Sequence, residues 1–170
     1  MQTDRPSGRT RREPGRPLTA TIDVAAPPAA VWAIVSDLPR TGEWSSECHR
    51  VRPLGRIRRG CWLLGHNRRG TIRWTTLSRV VGYQSDHKIS WRVLTNGSVW
   101  TYQLDATPTG TRLIETRQTP NGISMLASWF TRRFLGGQSQ HDDELEAAMT
   151  AGLARIKTIA EARCGDNAQP

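Results

Sequence analysis

A carboxylate among large rings is the most pointed chemical feature of this chain. Glu115 closes the run G-T-R-L-I-E at Gly110–Glu115, with Arg117 just beyond, while Trp100 and Tyr102 stand upstream in W-T-Y. Both runs alternate with a period of two, the pattern of a half-buried strand. Leu113, Glu115 and Arg117 then share one face, as do Trp100, Tyr102 and Leu104. If Leu113 faces inward, Glu115 does too, and desolvation raises the pKa of a carboxyl group in apolar surroundings unless a cation compensates. Arg117 is the cation at hand. The chemistry would be that of a polar anchor for a ligand hydroxyl or carbonyl, or of a general acid/base. The alternative account is an ion pair at the sheet rim, or a register with Ile114 inward.

Other chemistries lack their residues. His49, His66, His87 and His141 are scattered, with no spacing that would hold a metal. Cys48, Cys61 and Cys164 are odd in number and suggest neither a disulfide framework nor a zinc site. No nucleophile elbow, P-loop or dinucleotide fingerprint occurs, and Ser45, Ser46 and Cys48 have no general base nearby in sequence.

The elements that must position these groups are legible from periodicity. Ala20, Ile22 and Val24 alternate with polar neighbours, which predicts a first strand. Pro27 and Pro28 end it, and proline suits the first turn of a helix, where its missing N–H would have no partner. Val31, Trp32, Ile34, Val35 and Leu38 then follow at helical spacing until Pro39, with Trp32 read as packing. Further strands are expected over 48–54, 61–67, 71–80, 88–94, 98–106 and 111–119, with turn signals at Arg69-Gly70, Val81-Gly82, Asn96-Gly97 and Thr109-Gly110. Beyond Thr119 the period changes. Leu145, Ala148, Met149, Gly152, Ile156, Ile159 and Ala160 describe one long amphipathic helix, with Asp143, Glu146, Arg155 and Lys157 on its outer side.

A single domain is expected over 18–163, preceded by a disordered, arginine-rich tail over 1–17 and followed by a flexible terminus over 164–170. No apolar run is long enough to span a membrane and no signal peptide is evident, so a reducing cytoplasm is the expected compartment. The formal charge of +9 is nearly all arginine, the lysines being Lys88 and Lys157. Such a skew is also what a GC-rich coding genome produces. It reads first as a solvated basic surface, then as affinity for anionic lipid headgroups or acidic partners. Nucleic acid is the weakest reading, since no recognition motif occurs and rings do not interleave with the arginines.

The chain resembles the polyketide cyclase/dehydrase and lipid-transport group of the helix-grip (START-like) superfamily. The resemblance is carried by V-x-A-P-P-x-x-V-W-x-x-V-S-D at Val24–Asp37, E-W-S at Glu43–Ser45 and G-H-N-R-R-G at Gly65–Gly70. W-T-Y at Trp100–Tyr102, G-T-R-L-I-E at Gly110–Glu115 and the tail Gly152–Glu161 complete it. It implies an α+β helix-grip fold: a curved antiparallel sheet of about seven strands around a long C-terminal helix, with two short helices after the first strand.

The resemblance further implies a cavity between sheet and helix, with no cofactor or metal. Trp74, Trp91, Trp100 and Tyr102 would line it or, on the plainer account, form ordinary core. Trp44 falls at the cavity entrance, or serves structure. Gly65 and Asn67 fall on the inner face, the glycine leaving room for ligand, unless Asn67 only stabilises the following turn. The expected function is binding or transport of a hydrophobic small molecule, lipid or polyketide-like, with Glu115, Asn67 and Arg117 as polar anchors. A cyclase/dehydratase using Glu115 as acid/base is the second reading, and an interaction module acting through the basic surface is the third. Residues 120–137 hold Met125, Trp129 and Phe130 and read as a lid with a Gly136-Gly137 hinge. Alternatively their apolar face, with Arg132 and Arg133, meets an anionic membrane or a second subunit.

Overall fold

The computed structural model describes residues 17–119 and 138–166. The basic tail before Pro17, the lid residues Met125, Trp129 and Phe130, the pair Arg132-Arg133, Gly136-Gly137 and residues 167–170 lie outside that range, as does the side chain of His141.

Strand β1 (Leu18–Val24) leads into helix α1 (Pro28–Val35) and a 3-10 helix (Leu38–Glu43). Strands β2 (Cys48–Pro53), β3 (Trp62–Arg69), β4 (Ile72–Gln84), β5 (Lys88–Val93), β6 (Val99–Thr107) and β7 (Gly110–Gln118) follow, and helix α2 (Gln138–Asp166) closes the chain. The seven strands make one sheet in the order β1-β7-β6-β5-β4-β3-β2, antiparallel throughout. Only β1 pairs out of sequence, with β7. This is the expected helix-grip architecture. None of the described helices is long and apolar enough to cross a membrane.

Local chemistry explains the element ends. Pro28 opens α1, and the 3-10 helix likewise has a proline, Pro39, in its first turn. Gly70 and Gly97 take positive φ in the hairpin turns where the sequence placed them. Val81-Gly82 is not a turn. A β-bulge falls there, between Val80 and Gly82, so β4 runs on to Gln84 and Asp86 takes the positive φ of the actual turn. Gly110 is required for a different reason: a Cβ on it would lie 2.1 Å from the Val24 carbonyl oxygen, where the last hairpin abuts the end of β1.

The core lies between the inner sheet face and the two helices. Val24, Ile34, Ile89, Leu104, Leu113, Leu153 and Ile156 are buried to 2% exposure or less, each such side chain contributing about 1.5–3 kcal/mol on removal from water. The stripe expected on α2 is buried or half-buried throughout, and Leu153 joins it. Helix α2 packs chiefly on β1 and also on α1. Its outer cations do more than face solvent: Lys157 Nζ donates to the Asp23 carbonyl at 2.6 Å, and Arg155 Nη1 to the Trp44 carbonyl at 2.9 Å. The Ala25 N–H in turn donates to Glu161 at 2.8 Å. The helix continues to Asp166, past the expected bound at residue 163.

Candidate functional site

The pairing register settles which side chains share the inner face. Tyr102 on β6 stands opposite Glu115 on β7, Leu104 opposite Leu113, and Trp100 opposite Arg117. Ile114 therefore points away, and Glu115 is buried, with 7% exposure. Across β5 the row continues with Ile89 opposite Tyr102 and Trp91 opposite Trp100. On β3, Leu63 and Gly65 are buried while Trp62 and His66 are exposed, which resolves a register that apolar Trp62 and Leu64 blur in the sequence.

Trp44 completes the group from another element. It follows the 3-10 helix, is 1% exposed, and donates its indole N–H to the Tyr102 hydroxyl at 3.1 Å. The Tyr102 hydroxyl is also hydrogen-bonded to Glu115. These three residues form a buried polar chain, Trp44 to Tyr102 to Glu115. Among the described residues no buried side-chain nitrogen or oxygen lacks a partner, as expected where water cannot supply one. Burial pushes the Glu115 carboxyl up to about 8, against the opposing effect of the Tyr102 hydrogen bond. Burial, then the Glu115 charge, holds the Tyr102 phenol well above its ordinary range. Glu115 is therefore a neutral acid at pH 7, able both to donate and to accept a hydrogen bond.

The other sequence candidates divide. Trp91 and Trp100 are half-buried neighbours of this chain, the Trp91 ring tilted against Tyr102 with centroids 5.7 Å apart. Arg117 lies with its guanidinium 5.9 Å from the Trp100 ring centroid, and its charge acts on Glu47. Trp74 stands apart, opposite Asn67 near the far end of β4. Asn67 spends its amide on its own sheet, Nδ2 lying 3.2 Å from Thr76 Oγ1 and 3.4 Å from the Gly65 and Trp74 carbonyls. The space left by Gly65 is taken by Thr76, whose Oγ1 would sit 2.6 Å from a Cβ there. Trp32 packs edge-on against Tyr83, at 5.4 Å.

A cleft of about 310 Å³ opens beside this group, lined by Ser46, Glu47, His49, Arg69, Leu145 and Ala148 among others. Arg69, at the end of β3, pairs with Glu144 on α2 and lies 3.9 Å from Glu47, bridging hairpin tip and helix. Burial raises the Glu47 carboxyl, opposed by Arg69 and Arg117. Cys48 is pushed up to about 11 by burial, so its thiol is not a nucleophile at neutral pH. The sequence reading missed Glu47, Arg69 and Glu144. The run R-R-G and the neighbouring E-W-S were its only signals, since the cleft joins segments about 75 residues apart. Among the described residues no cluster of His, Cys, Asp and Glu is arranged to hold a metal.

Comparison with known proteins agrees with this fold. The family model described as polyketide cyclase / dehydrase and lipid transport matches residues 17–161. The Polyketide_cyc-like protein Cgl2372 from Corynebacterium glutamicum superposes with a TM-score of 0.59 at 24% identity, over 91% of this chain and 96% of that one. The di-domain ARO/CYC StfQ of the steffimycin biosynthetic pathway gives 0.70 at 16%, over 88% of this chain and 51% of its own length. The Zhui aromatase/cyclase from Streptomyces sp. R1128 gives 0.63 at 17%, over 88% and 95%. No curated protein matches.

Proposed function

Since the chain belongs to the polyketide cyclase / dehydrase and lipid transport family, we propose that it binds a hydrophobic small molecule, lipid or polyketide-like, between the inner sheet face and α2. The supporting observation is the buried Trp44–Tyr102–Glu115 chain among rings. An acid held neutral at about pH 7 presents an O–H to a ligand carbonyl while its other oxygen accepts from Tyr102. Trp91 and Trp100 offer half-buried apolar surface beside it. Affinity would come from burial at about 25 cal/mol per Å² of apolar ligand surface, and the carboxyl would fix orientation. The cleft beside α2 is the way in.

Native mass spectrometry of the untreated protein tests this. A co-purifying apolar adduct, lost on mild organic extraction and restored on adding it back, is expected. A protein that retains nothing, and takes up nothing from a panel of fatty acids and aromatic polyketides, would sink it.

A second reading, a cyclase or dehydratase, is favoured by one observation. A carboxyl titrating near 8 is poised to give a proton to a leaving hydroxyl and to recover one from the adjacent carbon. Glu115→Gln separates the two. Binding that stays within several-fold while turnover vanishes marks the enzyme, and binding alone marks the carrier.

A further inference from the structure

The outer face of the sheet carries a surface that ligand binding does not use. Among the described residues, the large apolar side chains left exposed are Leu54 (55%), Leu94 (47%), Leu77 (39%), Trp62 (37%) and Val81 (36%). All belong to the β2–β5 half of the sheet or its flanking turns. The register lines them up. Arg52, Leu64, Leu77 and Leu94 follow one another across neighbouring strands, and Leu54, Trp62, Arg79 and Arg92 form the adjoining row. At strand spacing, four strands make a strip about 14 Å wide.

Charge sets this face apart. From Cys48 to Ser85 the chain holds nine arginines and no aspartate or glutamate. Elsewhere cations meet carboxylates, as in Arg40–Glu43, Arg112–Asp23 and Lys157–Glu161. On this face Arg52, Arg68, Arg73, Arg79 and Arg92 form no ion pair with a described residue. Arg79 instead lies over the Trp62 ring, 5.4 Å from its centroid.

We propose that this face docks the protein on an anionic lipid surface, leucines and Trp62 at the acyl boundary and the flanking arginines among the phosphates. A single indole, already covered by Arg79, among leucines and a valine gives no succession of stacking platforms for bases, which sets this face apart from a nucleic-acid surface. Apolar residues interleaved with arginines, with an indole at the margin, match the layering of a headgroup interface. The inference is independent of the ligand reading.

Flotation of the full chain with phosphatidylcholine vesicles, with and without phosphatidylglycerol, tests it. Binding is expected only with the anionic lipid, and should fall at high salt. Arg79→Gln with Arg92→Gln should weaken it roughly thirtyfold, each arginine near such a surface being worth about fivefold. Leu77→Gln with Leu94→Gln should weaken it roughly tenfold with the arginines intact. Circular dichroism checks that both variants fold. As a separate measure on a chain that keeps both rows, brominated acyl chains should quench tryptophan emission, and Trp62→Phe should remove most of that quenching. Four outcomes overturn the proposal: no vesicle binding, unchanged quenching in Trp62→Phe, loss through Arg132→Ala with Arg133→Ala while the face variants bind normally, or binding that ignores the leucines and is matched by an oligonucleotide.

Discussion

The indole N–H of Trp44 donates to the phenolic oxygen of Tyr102 at 3.1 Å, across 58 residues of chain. Trp44 is also held from behind. Its carbonyl accepts from Arg155 of α2, and Gly152 lies close enough beneath it that a Cβ would come to 3.2 Å. The hydrogen bond therefore ties α2 to the middle of the sheet, and through Tyr102 it reaches the one carboxyl among the described residues that is buried on the inner face.

Tyr102→Phe should cost about 1–3 kcal/mol in urea unfolding. The ring stays, but the Trp44 N–H and Glu115 each lose a partner in a place water does not reach. Because the lost hydroxyl hydrogen bond lowers the Glu115 pKa, the variant's carboxyl should titrate higher still. A carboxyl-specific infrared band followed against pH reads this directly.

The raised carboxyl sets a pH dependence of definite sign. The native Glu115 titrates at about 8 and the unfolded one near 4.5, so between these values the native state holds more protons. Stability should therefore fall as pH rises through this window and level off above about 8, by roughly 5 kcal/mol from this group alone. Glu115→Gln should flatten the slope and be more stable than the parent at about pH 8. Equal slopes in the two proteins would contradict the burial of the charge.

Cys48 should resist alkylation. With its thiol pushed up to about 11, the thiolate fraction near pH 8 is roughly a hundredfold below that of an ordinary cysteine. Peptide mapping after a timed iodoacetamide pulse should find Cys48 labelled far more slowly than a free-thiol peptide standard. Full labelling within the standard's half-time would contradict the structure.

Two glycines with positive φ should behave differently. Gly97→Ala meets nothing within 4 Å and should cost about 1 kcal/mol from backbone strain alone. Gly110→Ala drives a methyl group to 2.1 Å from the Val24 carbonyl and should separate the last hairpin from β1. A loss above roughly 3 kcal/mol, or failure to fold, is the expected result. Thermal unfolding of the pair checks the contrast.

The elements were legible because their signals are local. Alternation and turn signals marked the strands and the 3.6-residue period marked α2, although apolar Trp62 and Leu64 blurred the period of β3 and Val81-Gly82 misled. A valine-glycine pair reads alike in a turn and in a bulge, and only pairing with Trp91 and Ser90 distinguishes them. Glu115 was legible for the same reason, since Leu113 two residues earlier names its face. The role of Trp44 was not. Its partners lie on β6 and α2, and no spacing within the chain foretells a hydrogen bond across 58 residues.

By itself, then, the sequence determined period, element order and family, all of which depend on neighbours a few residues apart. The tertiary structure alone decided what those elements bring together: Glu115 buried beside Tyr102 with its pKa raised, Asn67 bound to its own sheet, the Glu47–Arg69–Glu144 cleft, and an apolar outer face whose arginines form no ion pair with a described residue. The reason is physical. Desolvation and ion pairing act over a few ångströms of space, and the curl of the sheet, not distance along the chain, sets which residues fall within that range.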